Sequence, residues 1–203
     1  DIIYPHGLQV MVDAMEQFPE AGLGTQYNVR EYIKPYPFLV NSEEAFQKYF
    51  FGNSYFQSGP TGTIIRRDVF EKLGGFSGKR YIGDTEMWIK ISLSNPIVIF
   101  QPALIWWRNH EDQEFRSGQS IEGYIKYNHI LFNELINRND LPVSGDLLKR
   151  AKKIHASNNV RLFFAEMLKR GKIRNALRIF KVCDLSLKDL LLIINYKTWK
   201  RSW

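Results

Sequence analysis

A chain of 203 residues, 44% hydrophobic, 24% charged and 14% aromatic, has room for one sizeable core, or for one domain with an appendage. No apolar run approaches the roughly eighteen residues of a membrane span, and the single Cys183 excludes an internal disulfide framework or a cysteine-built zinc site. The formal charge of +7 is uneven: residues 145–203 carry 15 Lys/Arg against 4 Asp/Glu (+11), while residues 1–144 carry 13 against 17 (−4). A basic end of this kind can face nucleic acid, anionic lipid, an anionic substrate or an acidic partner.

The opening "DIIYPHGLQV" has no basic stretch, clean apolar run or small-residue cleavage site, and is not read as a signal peptide. "GLQVMVDAMEQF" has helical spacing, with Leu8, Val12 and Met15 on one face and Met11 beside them. A turn and a short strand at roughly 22–28 follow. Pro35 and Pro37 break any long element in "EYIKPYPFL". "NSEEAFQKYFF" opens a helix at Asn41 or Ser42, with acids in its first turn and Gly52 at its end.

"SGPTGTIIRRDVFEKLGGF" predicts a loop, a strand over Thr63–Arg66 and a short helix over Asp68–Leu73 that stops at Gly74-Gly75. "DTEMWIKISLS" predicts a helix with Met87, Ile91 and Leu93 inward, "PIVIFQP" a buried strand, and "LIWWRNHEDQEF" a strand entering a polar loop. From about residue 119 the pattern is helical. "SIEGYIKYNHILFNELI" places Ile121, Ile125, Phe132 and either His129 or Ile130 at helical spacing. "DLPVSGDLLKRAKKIHASNNVRLFFAEMLKRG" is a joint and then a long helix or a broken pair, and "KIRNALRIFKV" and "SLKDLLLIIN" are two short helices, the second capped by Ser186. The expected organisation is α/β over 1–118 and a basic helical region over 119–203, with only three or four short strands.

Three stretches carry chemistry. Asp84 and Glu86 sit at a helix start, where a carboxylate caps free N–H groups and meets the positive dipole end; the same rigidity would serve a catalytic base. The turn Gly59, Pro60, Thr61, Gly62, Thr63 combines pliable backbone with small hydroxyls but lacks the Lys-Ser/Thr ending of a phosphate loop, so it is either a plain turn or the floor of a sugar or phosphate pocket. "WWRNHEDQ" gathers Trp106, Trp107, Arg108, His110, Glu111, Asp112 and Gln113 at a strand-to-loop junction suited to a carbohydrate or nucleotide surface. His6, His129 and His155 read as structural. The basic tail reads either as a solvated face or as a surface for anionic membrane; no nucleic-acid motif accompanies it.

Taken in order, "DIIYP", the "GLQVMVDAMEQFPEAGL" helix and strand, "SGPTGTIIRRDVFEKLGGF", "GDTEMWIKI" and "WWRNHEDQ" resemble the second half of a family 2 glycosyltransferase of GT-A fold, with bacterial surface-polysaccharide enzymes the nearest image. The likeness covers about residues 1–115. It implies an incomplete GT-A α/β fold with a helical C-terminal appendage, and inverting transfer of a sugar from a nucleotide-sugar to an acceptor hydroxyl. Asp84 would be the general base, although the usual Glu-Asp pair is Gly83-Asp84 here. Glu86 and Trp88 would line the acceptor side, Gly59 to Thr63 and Trp107 would contact substrate, and His110 would approach the metal or diphosphate.

Asp1 would match the trailing acid of the family's Asp-x-Asp motif. The paired ligands for manganese or magnesium and the nucleotide pocket are then expected ahead of Asp1, and the chain alone is expected to be inactive and to bind no metal. The Gln-x-x-Arg-Trp signature of processive synthases is absent. Expected partners are the nucleotide-sugar, a saccharide or lipid-linked acceptor, and anionic membrane, with no nucleic acid; an exposed sheet edge would favour self-association. The expected location is cytoplasmic, peripheral on the inner face of the plasma membrane. The alternative readings are a non-catalytic carbohydrate-binding or scaffolding module and a basic helical adaptor.

Overall fold

The computed structural model describes residues 1–27, 34–111, 113, 116 and 119–190. Asp112, the first part of the proline segment and everything past residue 190, including "YKTWKRSW", lie outside the described residues. The architecture is mixed α/β, with several helices and two small open sheets. The chain divides into two compact units, Asp1–Gln113 with Asn139–Val143, and Glu114–Arg138 with Ser144–Trp203. The sequence division at 118/119 had not anticipated that 139–143 group with the first unit.

The first unit contains both sheets. Its larger sheet has the order β3 (Phe38–Val40), β5 (Ile97–Phe100), β2 (Leu23–Gln26), β4 (Thr63–Ile65), with β2 and β5 parallel and the edge strands antiparallel to them. All four residues of β5 are fully buried, as a central strand requires. The smaller sheet pairs β1 (Ile2–Ile3) with β6 (Ile105–Trp106), Ile2 opposite Trp106. Six strands are therefore present among the described residues. Strands β1 and β3 were not expected: two or three residues carry no periodicity, and long-range pairing alone defines them.

Helix α1 (Gly7–Glu16) lies on β2 and β5 so closely that a Cβ on Gly24 would come within 2.8 Å of the Met15 sulfur. Its buried face is Gly7, Met11, Ala14 and Met15. Leu8, expected inside, is 55% exposed, because the helix turns its other face to the sheet. The Arg66 guanidinium closes the far end of α1, donating to the Met15 carbonyl (2.8 Å) and the Ala21 carbonyl (3.0 Å). Helix α2 (Ser42–Phe51) starts as expected: the Asn41 side chain accepts from the Glu44 N–H at 2.8 Å, and Gly52 ends the helix at φ 93°. Helix α3 (Arg67–Lys72) stops at Gly74 and Gly75, both at positive φ.

Helix α4 (Gly83–Ser94) begins two residues earlier than expected for a cap at Asp84. Ile82 occupies the N-cap position, and Asp84 is the second helical residue.

The second unit is helical. A wide turn over Ile121–Ile125 leads into α5 (Lys126–Ile136). The Ser144 hydroxyl accepts from the Leu147 N–H (3.3 Å) and starts α6 (Gly145–Phe164), one long helix that loosens into a wide turn at Ala165–Lys169. Helix α7 (Ile173–Val182) follows, then α8 (Leu187–Leu190). Ser186 caps α8 as expected: its Oγ accepts from the Asp189 N–H, and its own N–H donates to the Asp189 carboxylate at 2.8 Å. Ile121, Val160, Phe163, Ala176, Ile179, Cys183 and Leu185 form the core. Among the described residues, no helix is long and apolar enough to cross a membrane.

Candidate functional site

Strands β2 and β5 are parallel, so their C-terminal ends point the same way, and β4 runs opposite, which brings its leading turn to that end. In open α/β sheets this is where loops gather ligands. The leading turn is the predicted Gly59–Thr63 segment, a single tight turn over Pro60–Gly62 closed by the Gly62 N–H on the Gly59 carbonyl (3.1 Å) and by the Thr63 hydroxyl on the same oxygen (3.1 Å). Gly62 leaves no room for a side chain unless its neighbours shift. A Cβ there would lie 2.3 Å from the Ser58 hydroxyl and 2.7 Å from the Gln26 amide.

Asp1 ties this turn to the junction after β6. Its carboxylate accepts from the Thr61 hydroxyl (2.8 Å) through one oxygen and from the Arg108 N–H (3.2 Å) through the other. The β1–β6 pairing sets this up, because opposing Ile2 to Trp106 leaves Asp1 beside the residues that follow Trp107. Trp107 is 54% exposed and His110 is exposed, both on the loop leaving this junction. Segments 60 and 107 residues from Asp1 thus meet at one carboxylate.

From the other side the turn is held by α4. Trp88 is 1% exposed, and its indole N–H donates to the Ser58 carbonyl at 3.0 Å. Trp88 is thus a buried strut under the loop. Glu86 is likewise enclosed: it accepts from the Ser77 hydroxyl and pairs with Lys79 (3.2 Å) and Lys90 (3.3 Å). Burial alone would raise the Glu86 pKa, but the Ser77 hydroxyl and the two ammonium groups outweigh it and hold the carboxyl below its ordinary range. Glu86 therefore pins the 77–79 loop to α4.

Asp84 differs. It is half-buried in the first turn of α4; one oxygen accepts from the Thr85 N–H (2.6 Å), and among the described residues the other has no hydrogen-bond partner. A carboxylate fixed on a helix end with one oxygen open can accept a proton or orient a hydroxyl.

Sequence reasoning missed Gln26. At the end of β2 its amide lies against Gly62, and its side-chain oxygen is buried without a partner among the described residues. Its position beside a glycine turn is legible only from the sheet register.

Nothing described supports a metal centre. Both Asp1 oxygens are engaged by protein donors, and among the described residues no three His, Cys, Asp or Glu side chains are grouped to hold an ion. Asp1 and His110 do not fit the oxygen-rich shell of manganese or magnesium, and the chemistry below uses no metal step.

The second unit holds a separate feature. His129 Nδ1 and His155 Nε2 stand 3.0 Å apart between α5 and α6, with Asn133 on the other nitrogen of His129 (2.9 Å) and Phe132 stacked on His155 at 3.8 Å. They line a cavity of about 230 Å³ that also contains Lys152, Cys183 and Asp184. Such a pair shares one proton. Burial, then the neighbouring His129, lower the His155 pKa to about 4; burial also lowers that of His129, with Asp184 opposing. The sequence signal was a His-x-x-x-Asn spacing in both helices, His129/Asn133 and His155/Asn159.

Compared with known proteins, the chain matches no family model, no curated protein and no solved structure.

Proposed function

We propose that residues 1–113 form the acceptor-side part of an inverting glycosyltransferase of the family 2, GT-A kind, which moves a sugar from a nucleotide-sugar to the hydroxyl of a saccharide or lipid-linked acceptor in surface polysaccharide or glycolipid synthesis. The observation that supports this reading best is the convergence of Asp1, the Thr61 turn and the Arg108 junction at the C-terminal end of β2 and β5. These segments were singled out by the sequence resemblance, and they meet where an α/β sheet takes a ligand.

In this reading Asp84 accepts the proton of the acceptor hydroxyl as its oxygen bonds to the anomeric carbon. The bond to the leaving diphosphate breaks with its electron pair on the departing oxygen. Trp88 and Glu86 act as positioning residues, one holding Ser58 under the turn and the other fixing the loop before α4. Thr61 gives its hydroxyl to Asp1 within this turn, and the Gln26 amide nitrogen lies against Gly62.

The second reading is a saccharide-binding module without transferase activity, for which the exposed Trp106 and Trp107 beside the Asp1 junction are suited. Radiolabelled sugar transfer in the complete enzyme containing this chain separates the two. Asp84→Asn is expected to lower the rate by about 10²- to 10⁴-fold, with folding and donor binding kept. A rate near wild type would remove Asp84 as the base, and saccharide binding without donor turnover in the wild type would establish the module.

A further inference from the structure

Helix α7 has two unlike faces. Ala176 and Ile179, each 1% exposed, anchor it in the core of the second unit. On the outer side Ile173 and Leu177 are 62% and 61% exposed, one helical turn apart. Arg174, Arg178 and Lys181 lie on the same outer side, all exposed, and exposed Lys172 immediately precedes the helix. No acidic residue occurs in Ile173–Val182. Among the described residues, the ion pair on this face, Arg178 with Glu122 at 3.8 Å, joins two side chains that are each more than half exposed, so water and salt weaken it.

The inner face already fixes α7, so exposed Ile173 and Leu177 contribute little to the packing of the second unit. Aliphatic side chains alternating with bases on one helical face suit a boundary that is apolar below and anionic above. A nucleic acid would offer phosphates but no apolar phase, and the outer face of α7 has no aromatic side chain to stack on bases. A second copy packed on this face would oppose like charges.

We propose that the outer face of α7 docks on an anionic lipid bilayer, with Ile173 and Leu177 entering the headgroup–acyl boundary and Lys172, Arg174, Arg178 and Lys181 lying at phosphate level. Four bases on an amphipathic helix are enough for such recognition. The proposal is independent of the glycosyltransferase reading: it concerns the second unit alone and is read by binding rather than by transfer.

The test is co-sedimentation of the 203-residue chain with vesicles of phosphatidylcholine, and of phosphatidylcholine with phosphatidylglycerol, at low and high salt. Binding is expected to the anionic vesicles only, and to weaken at high salt. Arg174→Gln with Arg178→Gln should weaken it about 30-fold at low salt, from roughly 5-fold per base near a charged surface. Ile173→Ser with Leu177→Ser should weaken it strongly, and what binding is left should keep its salt dependence. Leu8→Ser, an equally exposed leucine in the first unit, should leave it unchanged. All of these positions are exposed, so circular dichroism should match wild type. The proposal is overturned by failure to bind either vesicle, by equal binding to both, or by unchanged binding after the Ile173/Leu177 change. Loss of a dimer in sedimentation on that change, or binding to nucleic acid in place of vesicles, would overturn it as well.

Discussion

The charges that matter to each unit's role are placed differently, although Glu166, paired with Arg170 and Asn175, is enclosed in the second unit too. In the first, charged side chains turn inward and set loops: Glu86 holds Ser77, Lys79 and Lys90 together, and Arg66 closes the end of α1. In the second, the bases of α7 face solvent, while neutral imidazoles and amides occupy the α5–α6 seam. Inward charge with satisfied partners gives a rigid support for a polar site. An outward stripe of one sign gives a surface. A chemical role is therefore argued in the first unit and a docking role in the second.

The sharpest way to break that comparison is at Trp88. Trp88→Ala removes a buried indole and its bond to Ser58, and should cost about 3–5 kcal/mol in urea unfolding; Trp88→Phe, which loses the bond and part of the ring, should cost less. If Trp88→Ala unfolded no more easily than wild type, the support under the Gly59–Thr63 turn would be misassigned. In the second unit Ile179→Ala should cost about 2–5 kcal/mol by the same cavity argument. Hydrogen exchange followed by mass spectrometry would locate the lost protection in 121–185 and leave β2 and β5 protected.

Acid should act on the second unit. His155 has a folded pKa of about 4 against an ordinary 6.5, so the unfolded chain takes up the proton first. The cost to folding is absent above pH 6.5, grows as pH falls through 6.5, and levels off below about 4, on the order of 3 kcal/mol. Urea midpoints at successive pH values check the sign, and His155→Phe should flatten the trend. A smaller effect belongs to Thr61→Val, which loses an exposed bond to Asp1 and should change stability by only about 0.5 kcal/mol or less.

Local chemistry made much of this legible. Asn41 before an acidic first turn, paired glycines after a short helix, and an unbroken apolar run for β5 each encode their own geometry. Features that depend on partners far along the chain were hidden. Strands β1 and β3 exist because β6 and β5 pair with them, and the exposure of Leu8 follows from which side of α1 meets the sheet. At the candidate site the residue types were visible, but the Asp1–Thr61–Arg108 junction was not, since it joins segments up to 107 residues apart. In sequence only the family resemblance set Asp84 apart as the base, with Glu86 on the acceptor side. The fold separates them, enclosing one among lysines and leaving the other with an open oxygen.

That separation is tested most directly by measuring Asp84→Asn and Glu86→Gln side by side, as sugar-transfer rate and thermal midpoint in the proposed transferase. The prediction is a double dissociation: Asp84→Asn loses about 10²-fold or more of the rate at a wild-type midpoint, and Glu86→Gln lowers the midpoint while its folded fraction keeps most of the rate. The reverse pattern, with Asp84→Asn transferring normally and Glu86→Gln losing the rate at a wild-type midpoint, would contradict the assignment.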